Sequence, residues 1–561
     1  MQTFNQTIMK LKITMLLAVF ALGACESVLE KYPLDKPSDA TFLSSEAELV
    51  MAVNGVYNNL WYVRNGQIEY ILDNMADISW DRNAGDFTVI GNGSHSATTA
   101  LFADIWDLYY SGIGRCNFIL ANMGRAEGNA NQEVIEQVEG QALFLRGYWY
   151  SQLIMLYGDV PFVTEPLSVE NGKQTRTDKN IIVDRLLVDL DRAAELLPVS
   201  WPAADRGRAT KGAALALKSR VALMHERYEE AVDAARNVLE LNAYQLYPDY
   251  NALFRYAGES SSEVIFEVMF QHGIQHHSFP LCTHSRNAGG HSTKVPSQNM
   301  VDSYECIDGL PIDESPLYDP THPFENRDPR LRQSIAVPGD VYLGYQFETH
   351  KDSVECWNYN VSPAQRIPNQ DALNPYATFS GYCWRKAADP ADVGSSINRS
   401  SLNFIVIRLA EVYLNLAEAK IELNESDTEC LNAINVVRGR ASVNMPAVEP
   451  GKSQREMRTL IRRERKVELA MEGLRLHDIR RWKIAHLVMP GPFLGRPNKP
   501  YSYKDQGIPT IDDNGVIDYS GYIDKLTVVE QRFFNAERDY LWPIPQEEMD
   551  VNELLEQNNG Y

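Results

Sequence analysis

Three carboxylates, Glu464, Glu468 and Glu472, recur at one-turn spacing, and paired carboxylates across a cleft are what glycosidic bond hydrolysis requires. Their company argues against that chemistry. Arg462, Arg463, Arg465, Arg475, Arg480 and Arg481 crowd the same predicted helix, and a guanidinium favours the ionised carboxylate, the opposite of what a general acid needs. The stretch reads as a structural ion network. His272, His276, His277, His284 and His291 bring metal-ligating nitrogens, but their spacings on a glycine-containing loop fit no closed site, and no metal is expected. Gly91-Asn92-Gly93 lacks the third glycine and the strand-to-helix setting of a dinucleotide loop. There is no Gly-x-Ser-x-Gly elbow. Asp512-Asp513-Asn514-Gly515 lacks the alternating oxygens and closing Glu of a calcium loop and reads as a turn. No catalytic residue and no cofactor is expected.

What remains is recognition chemistry. A sugar ring has an apolar face and a polar rim, so it is held by a flat aromatic together with Asp, Asn, Arg or His. Two segments supply those types. Asp77, Trp80 and Arg82 lie just after a predicted helix, ahead of a glycine-rich stretch that carries Phe87, Asn92 and His95. Trp80 has two readings there, a stacking face or an anchor of its loop. Trp357 and Tyr359 alternate with Asn358 and Asn360 in a polar loop, with Tyr342 and Tyr345 upstream. No helical stripe accounts for them, and binding is the favoured reading.

The elements that must position these residues are mostly helices. Helical periodicity dominates about 45–245 and about 403–486, as helix pairs joined by short turns. Residues 212–225 and 228–241 form the clearest pair, with Tyr228, Ala231, Ala235 and Val238 on one face of the second helix. Residues 408–423 and 429–440 repeat the design, with a stripe of Leu409, Tyr413, Leu416 and Ala417. Such pairs cannot bury their own apolar faces and must stack, as in tetratricopeptide repeats. Between the blocks, a β-prone run at 263–270 leads into Gly-, Pro-, Asn- and Tyr-rich loops reaching about residue 400. A proline-rich stretch at about 490–540 reads as irregular. The fold class expected is mostly α: a tetratricopeptide-like superhelix with an irregular, loop-rich second half containing short β segments.

The N-terminus sets the compartment. Lys10 and Lys12 precede an apolar run, 13–22, that is far too short to span a bilayer and ends in Leu22-Gly23-Ala24-Cys25. This resembles a secretory leader, 1–24, with a bacterial lipobox whose cysteine, Cys25, receives a lipid. Glu26 and Glu30 resemble the acidic tether of surface-exported lipoproteins. Net charge is −22, and −24 once Lys10 and Lys12 leave with the leader. A chain this acidic repels phosphate backbones, so nucleic acid is excluded as a partner. The other six cysteines are scattered and none has CxxC spacing, so they read as buried thiols; Cys356 with Cys383 is the one pair worth testing as a disulfide.

Several segments in order resemble the SusD/RagB family. They are Trp106 with Ile113 and Asn117; Ala142 to Tyr148 leading to Tyr157-Gly-Asp-Val-Pro161; Arg327-Asp-Pro-Arg-Leu331; and Ile407 to Ala419. Glu464-Arg465, then Glu472-Gly473, Arg475, Asp478 and Arg480-Arg481-Trp482, follow. The chain closes on Tyr540 to Pro545 and on Gln557-Asn-Asn-Gly-Tyr561, with Asn559 where the family usually has Pro. Trp106, Trp149, Trp482 and Trp542 lie in these segments and read as core.

The resemblance implies a helical N-terminal region, 25–250, and a C-terminal SusD/RagB region, 251–561, with a ligand face at 263–400 and returning helices at 403–486. It also implies oligosaccharide capture at the outer surface, passage to a TonB-dependent SusC-like transporter, and no enzymatic activity. Relatives often place ligand contacts near the segment containing Trp80. RagB-like relatives handle peptides on the same scaffold, which leaves peptide binding as the rival reading; a surface glycosidase is a weaker one.

Overall fold

The structure, a computed structural model, describes residues 42–61 and 68–561. The leader, Cys25 and the acidic tether lie outside the described residues. In the first block, α1 (Glu46–Tyr57), α2 (Ala100–Asn122), α3 (Gln132–Tyr157), α4 (Lys179–Leu196), α5 (Lys211–Met224) and α6 (Tyr228–Glu240) run in chain order. The second block contributes α7 (Leu409–Glu422), α8 (Thr428–Arg438), α9 (Gln454–Glu468) and α10 (Arg475–Arg481). From α2 to α8 each helix packs on the next, and α6 packs directly on α7, so the returning helices extend the first stack. This is the superhelical design that the helix pairs call for.

Local chemistry fixes the helix ends. Ser45, Asn131, Asp178, Thr210 and Asp427 each cap a following helix by accepting a backbone N–H. Ser453 and Glu456 form a reciprocal capping box at the start of α9. Gly158, at φ +76°, ends α3 in a conformation open to glycine. Between α2 and α3 the spacing is set by Gly112, where a Cβ would lie 2.7 Å from the Trp149 ring. Ala231, Ala235 and Val238 of α6 are buried, as are Leu409, Leu416 and Ala417 of α7, while Tyr228 and Tyr413 are half-buried. The principal core runs from Leu43 to Leu555 and draws on both helical blocks.

The second half is built from small antiparallel sheets. Introduced in chain order, β1 (Ser79–Asp81) pairs with β3 (Lys294–Pro296), and β2 (Val264–Val268) pairs with β8 (Phe404–Arg408). A four-stranded sheet has the order β4 (Val341–Tyr342), β5 (Tyr345–Gln346), β6 (Glu355–Asn358), β7 (Gln365–Pro368). The stretch read as irregular near 490–540 instead holds a hairpin, β9 (Gly491–Pro497) with β10 (Leu526–Arg532). Its register shifts between Phe493 and Leu494 and again between Gly495 and Pro497, which lets a proline-bearing strand remain paired. Asp512 to Gly515 is a turn, closed by the Asp512 carboxylate accepting from the Asn514 and Val516 amides. Among the described residues no helix is long and apolar enough to cross a membrane.

The C-terminal segment is pinned to the end of α3. The Trp542 amide donates to the Leu156 carbonyl, and Asn558 Nδ2 donates to the carbonyls of Tyr157 and Trp542. Trp149 and Trp542 are fully buried and Trp106 nearly so. Trp482 is half-buried and donates its indole N–H to Glu418.

Candidate functional site

The three glutamates sit inside the protein. Glu468 receives Arg408 Nη1 at 2.7 Å, Arg440 Nη2 at 3.0 Å and Arg330 Nη1 at 3.0 Å. Glu464 receives Arg438 at 2.8 Å, and Glu472 receives Arg408 Nε at 2.7 Å and Lys386 at 2.6 Å. Burial alone would raise all three carboxylates; the surrounding cations outweigh it and hold them below the usual range. The ion-network reading stands, with two corrections. Glu472 lies past the end of α9, and the cations nearest the glutamates come chiefly from other elements rather than from the same helix. The segments around Arg330, Arg408 and Glu464 to Glu472, which carried the resemblance, thus meet in one buried charge cluster.

Two expected ligand contacts also turn inward. Asp77 binds Arg475 at 2.7 Å and Lys466 at 3.1 Å, and these charges hold its carboxyl low despite its burial. Trp80 lies on β1, 6% exposed, with Phe379 stacked at 5.5 Å and Phe493 at 6.4 Å. Its ring is the anchor of its loop: a sugar could stack on it only if one of those phenylalanines moved.

Arg82, at the end of the same segment, emerges beside solvent. Its guanidinium stands 5.6 Å from the ring centres of both Tyr376 and Phe379. Arg82 Nη1 and Arg286 Nε both donate to the Tyr376 carbonyl. Tyr376 is 61% exposed and Phe379 37%. Trp80 therefore supports from beneath an aromatic surface that sequence reasoning missed. The signal was present, since Tyr376 and Phe379 are aromatics in a polar loop, the same criterion that selected Trp357.

Trp357 and Tyr359 are placed as expected on the outside. Trp357 is 38% exposed on β6, and its neighbour Cys356 points into the protein. Arg366, opposite it on β7, lies 5.3 Å from the indole centre and pairs with Glu355. Tyr359 is 47% exposed, and its amide donates to the Gly344 carbonyl. Gly344 sits at φ +81° in the β4–β5 turn, where a side chain would strike Asn360. Tyr342 is buried, its hydroxyl donating to the Trp384 carbonyl, whereas Tyr345 is half-exposed.

The two exposed aromatic groups share a support. Asn287 Nδ2 donates to Asn369, Asp371 and the Cys356 sulfur, while the Arg286 and Asn287 amides donate to Asp371. Residues 286–287 and 369–376 thus connect the underside of Trp357's strand with the loop bearing Tyr376.

Of the five histidines, His272, His276 and His291 are exposed, and His277 and His284 are buried and structural. His277 accepts the Phe279 amide at Nδ1 and donates from Nε2 to the Leu402 carbonyl, amid Phe270, Phe279 and Phe404, and His284 is fully buried beside Tyr342. Cys116, Cys282, Cys306, Cys356, Cys383 and Cys430 are free and buried, so the suggested Cys356–Cys383 disulfide is not formed. Burial pushes the Cys356 thiol up to about 11.

Comparison with known proteins agrees with this architecture. Residues 262–561 match the SusD family, and residues 29–223 match the family described as starch-binding associating with outer membrane. The chain is 25% identical to SusD-like protein P2 of Formosa agariphila, covering 98% of this chain and all of the relative. It is 23% identical to a SusD-like protein of Bacteroides ovatus, over 97% of each. Among solved structures it is similar to a SusD-like carbohydrate-binding protein of Bacteroides fragilis, with 29% identity and a TM-score of 0.79 over 92% of this chain and all of that one. It shares the fold of surface glycan-binding protein A of Bacteroides fluxus, at 20% identity and a TM-score of 0.66 over 92% of this chain and all of that one. The chain belongs to the SusD family.

Proposed function

We propose that this chain is a lipid-anchored protein facing the cell exterior, which captures an oligosaccharide on its loop face and delivers it to a TonB-dependent SusC-like transporter. The observation that carries the reading is a tryptophan, Trp357, kept on the outside of a small sheet whose other face is packed. Large aromatics lower their free energy most by burial, so one held at the surface of an ordered element points to a ligand. Trp357 and Tyr359 take ring faces, and Arg82, with Tyr376 and Phe379, forms a second contact. Asp77 and Trp80 support the face from within. Flat rings bordered by polar groups suit sugar better than peptide, which would rely more on backbone contacts.

The anchor rests on the sequence around Cys25, and the division of the chain near residue 250 remains part of this proposal. Labelling with a fatty-acid analogue should mark the wild type, while Cys25→Ala goes unlabelled and leaves the membrane. Equal labelling of both would sink the anchor. Co-purification with a SusC-like barrel after solubilising the outer membrane tests the partner, and recovery of the protein always alone would count against it.

A further inference from the structure

Arginines in this acidic protein are commonly answered by carboxylates: Arg146 by Asp189, Arg220 by Glu411, Arg236 by Glu429. Arg82 and Arg286 are not. Among the described residues neither guanidinium forms an ion pair, and each makes one hydrogen bond, to the same Tyr376 carbonyl. A guanidinium carries five N–H donors in a planar fork, so most of theirs remain available. Two carboxylates act on them from hydrogen bonds of their own: Asp81, paired with Lys294, on Arg82, and Asp371, held by the Arg286 and Asn287 amides, on Arg286.

Burial lowers the proton affinity of Arg82, and the charge of Arg286 lowers it further. His291 is lowered in the same way, first by burial and then by both arginines. His291 therefore lies in the positive field of the two arginines, and Arg82 stands beside the exposed rings of Tyr376 and Phe379. Like charges brought together without a direct ion pair disfavour each other, and an anion supplied from outside would relieve that.

We infer that the ligand is an anionic glycan, bearing carboxylate or sulfate groups that the Arg82–Arg286 pair receives while Tyr376 and Phe379 take the adjoining ring face. Planar guanidinium donors match both oxyanions. The inference rests on the glycan-binding reading above and names the class of sugar. The net charge of −22 makes indiscriminate attraction of polyanions unfavourable, so binding of one would require this local site.

Affinity electrophoresis of the mature protein in gels containing matched polymers tests it: dextran against dextran sulfate, and fully methyl-esterified pectin against polygalacturonate. Retardation by at least one anionic polymer and not by its neutral partner is expected, and the pair that responds tells sulfate from carboxylate. The effect should fall as salt is raised. An Arg82→Gln/Arg286→Gln variant with an unchanged melting curve should bind roughly tenfold more weakly. Arg82→Lys, which keeps the charge but loses the fork, should fall between. Retardation by a neutral polymer alone would overturn the anionic assignment and leave glycan binding intact. Anionic binding unchanged in the double variant would overturn this site. Failure of all four polymers, and of a wider neutral panel, to bind would overturn the glycan reading and this inference together.

Discussion

The buried cluster around Glu468 and the loop face around Tyr376 use the same residue types to opposite ends. In the cluster, Arg330, Arg408 and Arg440 are each matched by carboxylates at hydrogen-bond distance, with no water-exposed face. On the loop face, the guanidinium of Arg82 is met by a carbonyl and two aromatic rings, and that of Arg286 by the same carbonyl. Matched charges hold elements together, whereas unmatched ones beside exposed rings are available to a ligand. Residue type alone does not separate structure from recognition; what each guanidinium already touches does.

The largest effect expected is in the cluster. Glu468→Ala leaves Arg330, Arg408 and Arg440 short of a counter-charge in the interior, and should destabilise the fold by about 3–5 kcal/mol. Chemical denaturation checks this; a loss below about 1 kcal/mol would mean the cluster tolerates a missing anion and would weaken the comparison. Trp80→Ala should also act on stability, by roughly 3–5 kcal/mol, because it empties the space between Phe379 and Phe493. A variant that melts like the wild type but binds poorly would return Trp80 to the ligand side.

Acid should act on the same cluster with a defined sign. Glu464, Glu468 and Glu472 titrate lower in the fold than the value of 4.5 expected for a free glutamate. Their contribution is fully present above about 4.5 and is lost as pH falls through the depressed folded values. Melting temperature followed from pH 7 towards pH 3 should drop, and Glu468→Gln should show a shallower drop from a lower start. Parallel curves would detach the cluster from acid sensitivity.

Much of the fold was legible because helices announce themselves locally. The small-residue stripe of Ala231, Ala235 and Val238 and the Leu409 to Ala417 stripe fixed two helix pairs within a residue or two. The hairpin Gly491–Pro497 with Leu526–Arg532 was not, since its prolines argue against strands and only the bulged register accommodates them. The ion network was legible in kind but not in partners: Arg330, Arg408 and Arg440 are distant in sequence from Glu468. The site divided in the same way. Trp357 and Tyr359 were placed by the polarity of their own neighbours. Trp80 has equally polar neighbours, and its burial depends on Phe379 and Phe493 arriving from far downstream. Tyr376 and Phe379 fitted the criterion that found Trp357 and were passed over.

The smallest effect on stability and the sharpest on function belongs to Trp357. Isothermal titration of Trp357→Ala should use the tightest-binding member of a glycan panel, with circular dichroism confirming the fold. Losing one stacked ring removes about 1–3 kcal/mol by analogy with base–aromatic stacking, so affinity should fall roughly 5- to 150-fold while the melting temperature stays near that of the wild type. Wild-type affinity in a normally folded Trp357→Ala protein would contradict the assignment of this loop face as the place where the sugar binds.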